Sequence, residues 1–383
     1  MAHTSKPILS PAEKLGLFFN LLVDLPIRAT FHISRMLVIS LIRKTPIIRG
    51  IAAALIKCMF LSFTPRQAQA ILPTSRATYK TWVEAKAKTV TDPELRSRLK
   101  VDVQPLASGL DSAILWVGDR SKAKRVVVFF HGGGYVFTLS PGHVAWCWNS
   151  YVADNINTDH ETAVAILQYT VAPDGPFPTQ MVQAVAAVRQ VIDLGFSPSN
   201  ILIGGDSAGG NLTMQVLAHL LHPHPSSDPL LLKEPLAGAF IVSPWVGRDT
   251  TAKSFADNSA GDMISIAVGR TLCNTYVTRS ELSKCEVKEN GWIMALDSPA
   301  GWFGGLEKVV SSIYVTVGVD EALADQGRQL SQIISTQNPT LPLRLEEFAK
   351  DIHDGIFMEN TVGIEGQATR AMKAWYQKVI NKD

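Results

Sequence analysis

The chain is short of cysteine, of net charge and of any long uncharged apolar run, and each shortage excludes something. Its four cysteines, Cys58, Cys147, Cys273 and Cys285, show neither C-x-x-C pairing nor metal-ligand spacing. They read as free or buried thiols, which argues against a disulfide framework or a zinc module and fits a reducing, intracellular compartment. A formal net charge of +2 over 383 residues lacks the electrostatic footprint of a nucleic-acid partner. From Leu15 to Phe63 the chain is strongly apolar, but Asp24, Arg28, Arg35, Arg43, Lys44, Arg49 and Lys57 interrupt it. No uncharged stretch there approaches the roughly 20 residues a spanning helix needs. The stretch also lacks the single compact apolar core and small-residue cleavage site of a signal peptide. Internal repeats and low-complexity tracts are absent. The only Asn-x-Ser/Thr sequon, at Asn211, falls inside a predicted helix, a poor place for a glycan.

What is present centres on Ile201-Leu-Ile-Gly-Gly-Asp-Ser-Ala-Gly-Gly-Asn211. A short β-branched run ends in glycines, a serine stands at the tip, and Leu212 to Leu221 continues at helical spacing. Strand, tight turn and helix with Gly205-Asp206-Ser207-Ala208-Gly209 at the turn make a G-x-S-x-G nucleophile elbow. Glycines two positions either side of Ser207 let strand and helix approach, while the serine itself takes a strained backbone that exposes its hydroxyl. Chance alone produces the five-residue pattern in some long chains; the correct flanks favour a nucleophile.

Around this elbow the chain alternates strands with helices. Buried strands are expected at Arg125–Phe130, Thr162–Leu167, Leu236–Val242, Ser312–Val317 and Leu341–Phe348, with helices at Thr179–Leu194, from Leu323 to about Ser335, and from about Gly366 to Ile380. That rhythm predicts an α/β fold with a mostly parallel, doubly wound sheet, and in such sheets reactive groups sit at the carboxyl ends of strands. His131-Gly132-Gly133-Gly134-Tyr135 directly follows one buried strand. Three glycines there let backbone N–H groups face a ligand, an oxyanion-hole signal. Residues 245 to about 308, with Trp245, Trp292, Trp302 and Phe303, break the rhythm and read as a cap insertion. The division expected is an apolar, amphipathic helical region over 1–100 and a catalytic domain over 101–383. Basic residues recurring every seven or eight positions before residue 63 describe helices with a cationic face. Such helices either lie in a membrane interface through residues 11–63 or pack over the site as part of a cap, and the two readings are compatible.

A serine hydroxyl needs a base within hydrogen-bond reach, and the base needs a carboxylate to hold its tautomer. The order Ser207, Asp320, His353 supplies them, each just after a predicted strand; Asp325, a turn into the following helix, is the competing acid. The oxyanion would lie against the backbone N–H groups of Gly133, Gly134 and Ala208, and His131, Gly132, Tyr135, Asp206 and Trp245 are the candidate substrate-binding residues. The mechanism needs no metal and no cofactor. The His-rich tract around His219, His222 and His224 reads as a solvated loop, because prolines separate its members and no acid lies near.

His131-Gly-Gly-Gly-Tyr135, the Tyr-x-x-Ala-Pro…Pro-Phe-Pro run at 169–178, Gly205-Asp-Ser-Ala-Gly-Gly210, Gly318-x-Asp320-x-x-x-x-Asp325 and His353 together resemble the hormone-sensitive-lipase-like branch of the α/β-hydrolases over about residues 100–380. The resemblance implies an α/β-hydrolase fold with a helical cap from the N-terminal region and the insertion, and hydrolysis of small lipophilic carboxylic esters. Gln168 and Asp174 depart from the acidic residues common around that tyrosine, which bears on local salt bridges. The apolar N-terminal segment is similar in kind to that of fungal steryl acetyl hydrolases, a membrane-associated group, and to esterases of fungal secondary metabolism. The expected activity is removal of a short acyl group, acetyl first, from a bulky lipophilic alcohol such as a sterol or secondary metabolite, at the endoplasmic-reticulum membrane or in the cytoplasm. Two alternatives stay open: an acyltransferase or amidase using the same triad, and a non-catalytic small-molecule binding protein on the same fold.

Overall fold

The structure, a computed structural model, describes residues 6–106, 111–277 and 291–381; Cys285 lies outside them. Among the described residues, six α-helices precede the sheet: α1 (Pro11–Phe19), α2 (Leu25–Arg43), α3 (Ile47–Ser62), α4 (Pro65–Ile71), α5 (Ser75–Thr89) and α6 (Pro93–Ser97). Ser10 opens α1 with a capping box, its side chain on the Glu13 amide and the Glu13 side chain on its own amide. Between α1 and α2 the helix continues through a wider π turn, Asn20–Asp24. Pro26 explains the widening: its ring has no N–H to give the preceding turn, and a π turn absorbs the mismatch without a break. Residues 11–43 are thus one helix of 33 residues, long and apolar enough to cross a membrane by length and composition. The interrupting charges on which the sequence reading relied do not stop the helix, because Arg28 closes on Asp24 one turn away at 2.7 Å and Arg43 reaches another part of the chain.

That helix is docked along its length. Arg66 of α4 bonds Glu13 at 2.9 Å and Gln67 accepts from Asn20 at 3.2 Å. Further on, α2 crosses α3 closely: a Cβ on Gly50 would stand 2.4 Å from Ser40 Oγ and 3.3 Å from the Met36 carbonyl oxygen, so a larger residue there would force Ser40 to turn away.

The sheet has eight strands: β1 (Asp102–Pro105), β2 (Ala113–Val117), β3 (Arg125–Phe130), β4 (Thr162–Gln168), β5 (Ile201–Asp206), β6 (Gly238–Val242), β7 (Ile313–Gly318) and β8 (Leu343–Phe348). Their order is β1-β2-β4-β3-β5-β6-β7-β8, antiparallel through β1, β2 and β4 and parallel from β4 onward. The inner strands are buried on both faces, hence their unbroken apolar runs. Connecting and covering helices are α7 (Pro141–Cys147), α8 (Thr179–Asp193), α9 (Ala208–Leu221), α10 (Lys253–Asn258), α11 (Ile266–Tyr276), α12 (Ala324–Gln337), α13 (Gly355–Thr361) and α14 (Gln367–Ile380). The expected α/β fold with a mostly parallel sheet is what the chain adopts. The predicted strand from Leu236 starts two residues late, since Leu236 makes only an isolated bridge to Val310.

Candidate active site

β5 ends at Asp206, and Ser207 turns the chain into α9 with φ 51° and ψ −115°, a region that costs a non-glycine residue of order 1–3 kcal/mol. The flanking glycines make the turn feasible. A Cβ on Gly205 or on Gly209 would stand 1.9 or 1.8 Å from the Phe130 carbonyl oxygen. The Ser207 amide is held by the Val242 carbonyl at 2.8 Å.

Beside it, the glycine loop after β3 takes φ +103° at Gly133 and +62° at Gly134, conformations open to glycine alone at little cost. Gly132, Gly133 and Gly134 line a cavity of about 660 Å³ that also holds Asp206, Ser207, His353 and Asp354. Ala208 is the first residue of α9, so its amide has no partner within the helix. Asp206 ties the loop to the elbow: one carboxylate oxygen accepts from the Gly132 amide at 3.0 Å, the other faces His143 Nε2 at 3.1 Å. Burial alone would raise the Asp206 carboxyl, yet the His143 imidazole prevails and holds it low.

Three of the expected substrate-binding residues stand behind the cavity wall. The His131 ring stacks on Tyr169 at 4.3 Å, and burial drives its pKa down to about 3. Tyr135 stacks on Tyr276 at 3.9 Å and its hydroxyl accepts from Asn211. Trp245 packs among these tyrosines. All three are buried, and none of them lines the cavity. Asp206 and Gly132 do reach the cavity. His143, also on its wall, was missed because a histidine inside a helical stretch carries no pattern.

The carboxylate beside His353 differs from the one expected. Asp320 points outward and pairs with Arg43 of α2 at 3.2 Å. Its neighbour Glu321 is fully buried, with Oε2 at 3.9 Å from His353 Nδ1. Asp325, the other contender, is bonded to Ser254 and Arg328. Ser243 holds the arrangement together: its Oγ donates to Glu321 Oε2 at 2.6 Å and accepts from the Asp354 amide at 3.0 Å. Burial pushes the Glu321 carboxyl well above the usual range and drives His353 down to about 4, so the imidazole is neutral, as a base must be. His353 Nε2 faces Asp354 Oδ2 at 3.2 Å. Asp354 itself adopts φ 55°, and burial followed by the nearby Asp206 and Glu321 raises its carboxyl strongly. Chemically the site offers a strained serine, a neutral imidazole backed by a buried acid, and first-turn and glycine-loop amides at one end of an apolar cavity.

Residues 127–356 match a family described as alpha/beta hydrolase fold. An acetyl-hydrolase of Streptomyces hygroscopicus is 26% identical over 240 residues, 62% of this chain and 70% of that one. Steryl acetyl hydrolase 1 of Saccharomyces cerevisiae is 33% identical over 124 residues, 31% of this chain and 26% of the yeast protein. Among solved structures, an esterase from the bacterial hormone-sensitive lipase family superposes with a TM-score of 0.59 at 20% identity, covering 85% of this chain and 96% of that one. At that identity the superposition speaks for the fold alone.

Proposed function

The chain belongs to the α/β-hydrolase-fold family, and from that premise we propose that it is a serine carboxylesterase in which Ser207, His353 and Glu321 form the triad. Ser207 Oγ attacks the ester carbonyl while His353 Nε2 takes its proton, and Glu321 across Nδ1 stabilises the imidazolium. The tetrahedral oxyanion rests against the amides of Gly133, Gly134 and Ala208. Collapse expels the alcohol, which His353 protonates; water, activated by the same imidazole, then frees the acid. The observation that carries this reading is the strained Ser207 at the β5–α9 turn, sharing one cavity with His353 and the glycine loop.

The substrate reading is a short acyl ester, acetyl first, of a bulky lipophilic alcohol such as a sterol. An apolar cavity of about 660 Å³ has room for such an alcohol, and the Streptomyces and yeast relatives are both named as acetyl hydrolases. The N-terminal helices, of which α3 and α5 line the cavity, also support association with a membrane surface, since Leu15, Phe18, Leu22, Ile27 and Phe31 are exposed along one helix. The contacts of Glu13, Asn20 and Arg43 with the body fit a helix lying on a bilayer, whereas spanning would break them.

The test is nitrophenol release from acetyl, butyryl, octanoyl and palmitoyl esters. We expect a maximum at acetyl or butyryl, and Ser207→Ala to lower kcat by about 10⁴-fold or more in a protein of unchanged circular dichroism. Wild-type-like turnover by that variant would remove the triad assignment.

A further inference from the structure

Asp262 lies in the segment between α10 and α11, far in sequence from every residue of the triad. It is buried with three backbone donors around it: Oδ1 accepts from the His353 amide at 3.1 Å and the Met263 amide at 2.7 Å, and Oδ2 accepts from the Ala322 amide at 2.7 Å. One carboxylate therefore grips the loop that carries the imidazole and the residue directly after Glu321. From the other side, buried Lys57 of α3 donates Nζ to the carbonyls of Asp262 at 2.8 Å and Ser259 at 2.5 Å.

We propose that Asp262 is a positioning residue for ester hydrolysis, clasping the base loop to the acid loop, with Lys57 holding the clasp from the N-terminal helices. The inference rests on the reading of His353 and Glu321 as base and acid. Their pairing is loose in this structure, 3.9 Å from Nδ1 to Oε2, so a small relative shift of the two loops decides whether the acid reaches the imidazole. Main-chain bonds such as Asp320 N–H to the Asp351 carbonyl at 3.0 Å also join the two loops. Ser243 links Glu321 to the Asp354 amide, and the Asp262 carboxylate ties the amide of the base itself to the acid loop. Met263 and Ile264, next in the chain, line the cavity, so the clasp and the substrate wall are one segment.

The groups facing Asp262 are Lys57 from α3, Glu321 from the loop after β7, and His353 and Asp354 from the loop after β8. Burial raises the Asp262 carboxyl to about 6, against the lowering influence of the three amides and Lys57. A protonated carboxyl turns one acceptor oxygen into a donor facing an N–H, and the clasp opens.

The experiment is the pH profile of kcat and KM for nitrophenyl butyrate on the full chain. In the wild type, kcat falls as pH drops through about 6, whereas a limb set by His353 alone would lie near 4. Asp262→Asn retains shape but sets an amide N–H against a backbone N–H. We expect kcat to fall about 10- to 100-fold with KM within about twofold, the scale of a small displacement at a reacting centre. Its remaining activity loses the limb near 6 and persists to lower pH. Lys57→Met removes the cation that favours the Asp262 carboxylate, so its limb moves to higher pH, the opposite direction. A folded Asp262→Asn enzyme with wild-type kcat and an unmoved limb overturns the clasp. So does a wild-type limb near 4, a result that needs no variant. Ser207→Ala separates this from the site reading: an essential Ser207 beside an indifferent Asp262 discards the clasp alone.

Discussion

Asp320 and Glu321 are adjacent and chemically similar, yet one carboxylate meets Arg43 near the surface and the other is sealed against Ser243 and His353. The consequence is separable by mutation. Glu321→Gln cannot stabilise an imidazolium, and kcat is expected to fall about 10³- to 10⁴-fold. Asp320→Asn removes one partly exposed ion pair, so the expected loss is below about 1 kcal/mol of stability, with kcat within about twofold. Parallel kcat and thermal-melt measurements on the two variants check both; a larger kcat loss in Asp320→Asn would restore it as the acid. The pair also marks a limit of the sequence. The elbow was readable because the two glycines have a steric reason that survives in one dimension. The choice between neighbouring acids was not: β7 is buried on both faces, so no alternation indicates which way the next side chains turn. The deciding partner, Arg43, comes from a helix whose position the local pattern cannot supply. Tyr135 and Trp245 stand outside the cavity lining for a related reason, because aromatic rings near a site pack behind it as readily as inside it.

Among the elements, the helix over residues 11–43 combines a docked side with an undocked apolar one. Met36 and Ser40 are buried toward α3, while Phe18 and Leu22 are more than half exposed. Taking each such side chain out of water is worth roughly 1.5–3 kcal/mol. Phe18→Asp with Leu22→Asp should therefore reduce co-flotation with phosphatidylcholine–phosphatidylserine vesicles at least about tenfold, and leave turnover of a soluble acetyl ester unchanged. Equal flotation of variant and wild type would mean that the face serves something other than lipid. The sequence showed the cationic, amphipathic character of this region but not its continuity, since Pro26 reads as a stop and the π turn that tolerates it has no sequence signature of its own.

For the whole molecule, the site is assembled at a cost in stability. Asp354 is buried with its carboxyl raised well above its ordinary value. The sign follows from linkage: below the unfolded-state pKa, near 4, both states hold the proton and there is no penalty. As pH rises above it, the unfolded chain ionises while the folded one does not, and stability is lost until the folded-state pKa is passed. Asp354→Asn should thus raise Tm at pH 7 and have little effect near pH 4, at ~2–4 °C for each 1 kcal/mol recovered. Thermal melts at both pH values test this, and a gain at pH 4 equal to that at pH 7 would contradict it. Function and stability pull against each other here, as they do where a site needs strained or desolvated groups.

The ties between the N-terminal helices and the catalytic loops also set a schedule for synthesis. Lys57 waits for Asp262, 205 residues later, and Arg49 for Asp351, 302 residues later. At ribosomal speeds of about 5–20 residues per second, the first wait alone lasts ~10–40 s. For most of it, two long apolar helices have only each other and α4 as partners. A nascent chain stalled between residues 100 and 250 should accordingly bind a chaperone or a membrane, and one stalled after the sheet is complete should let go.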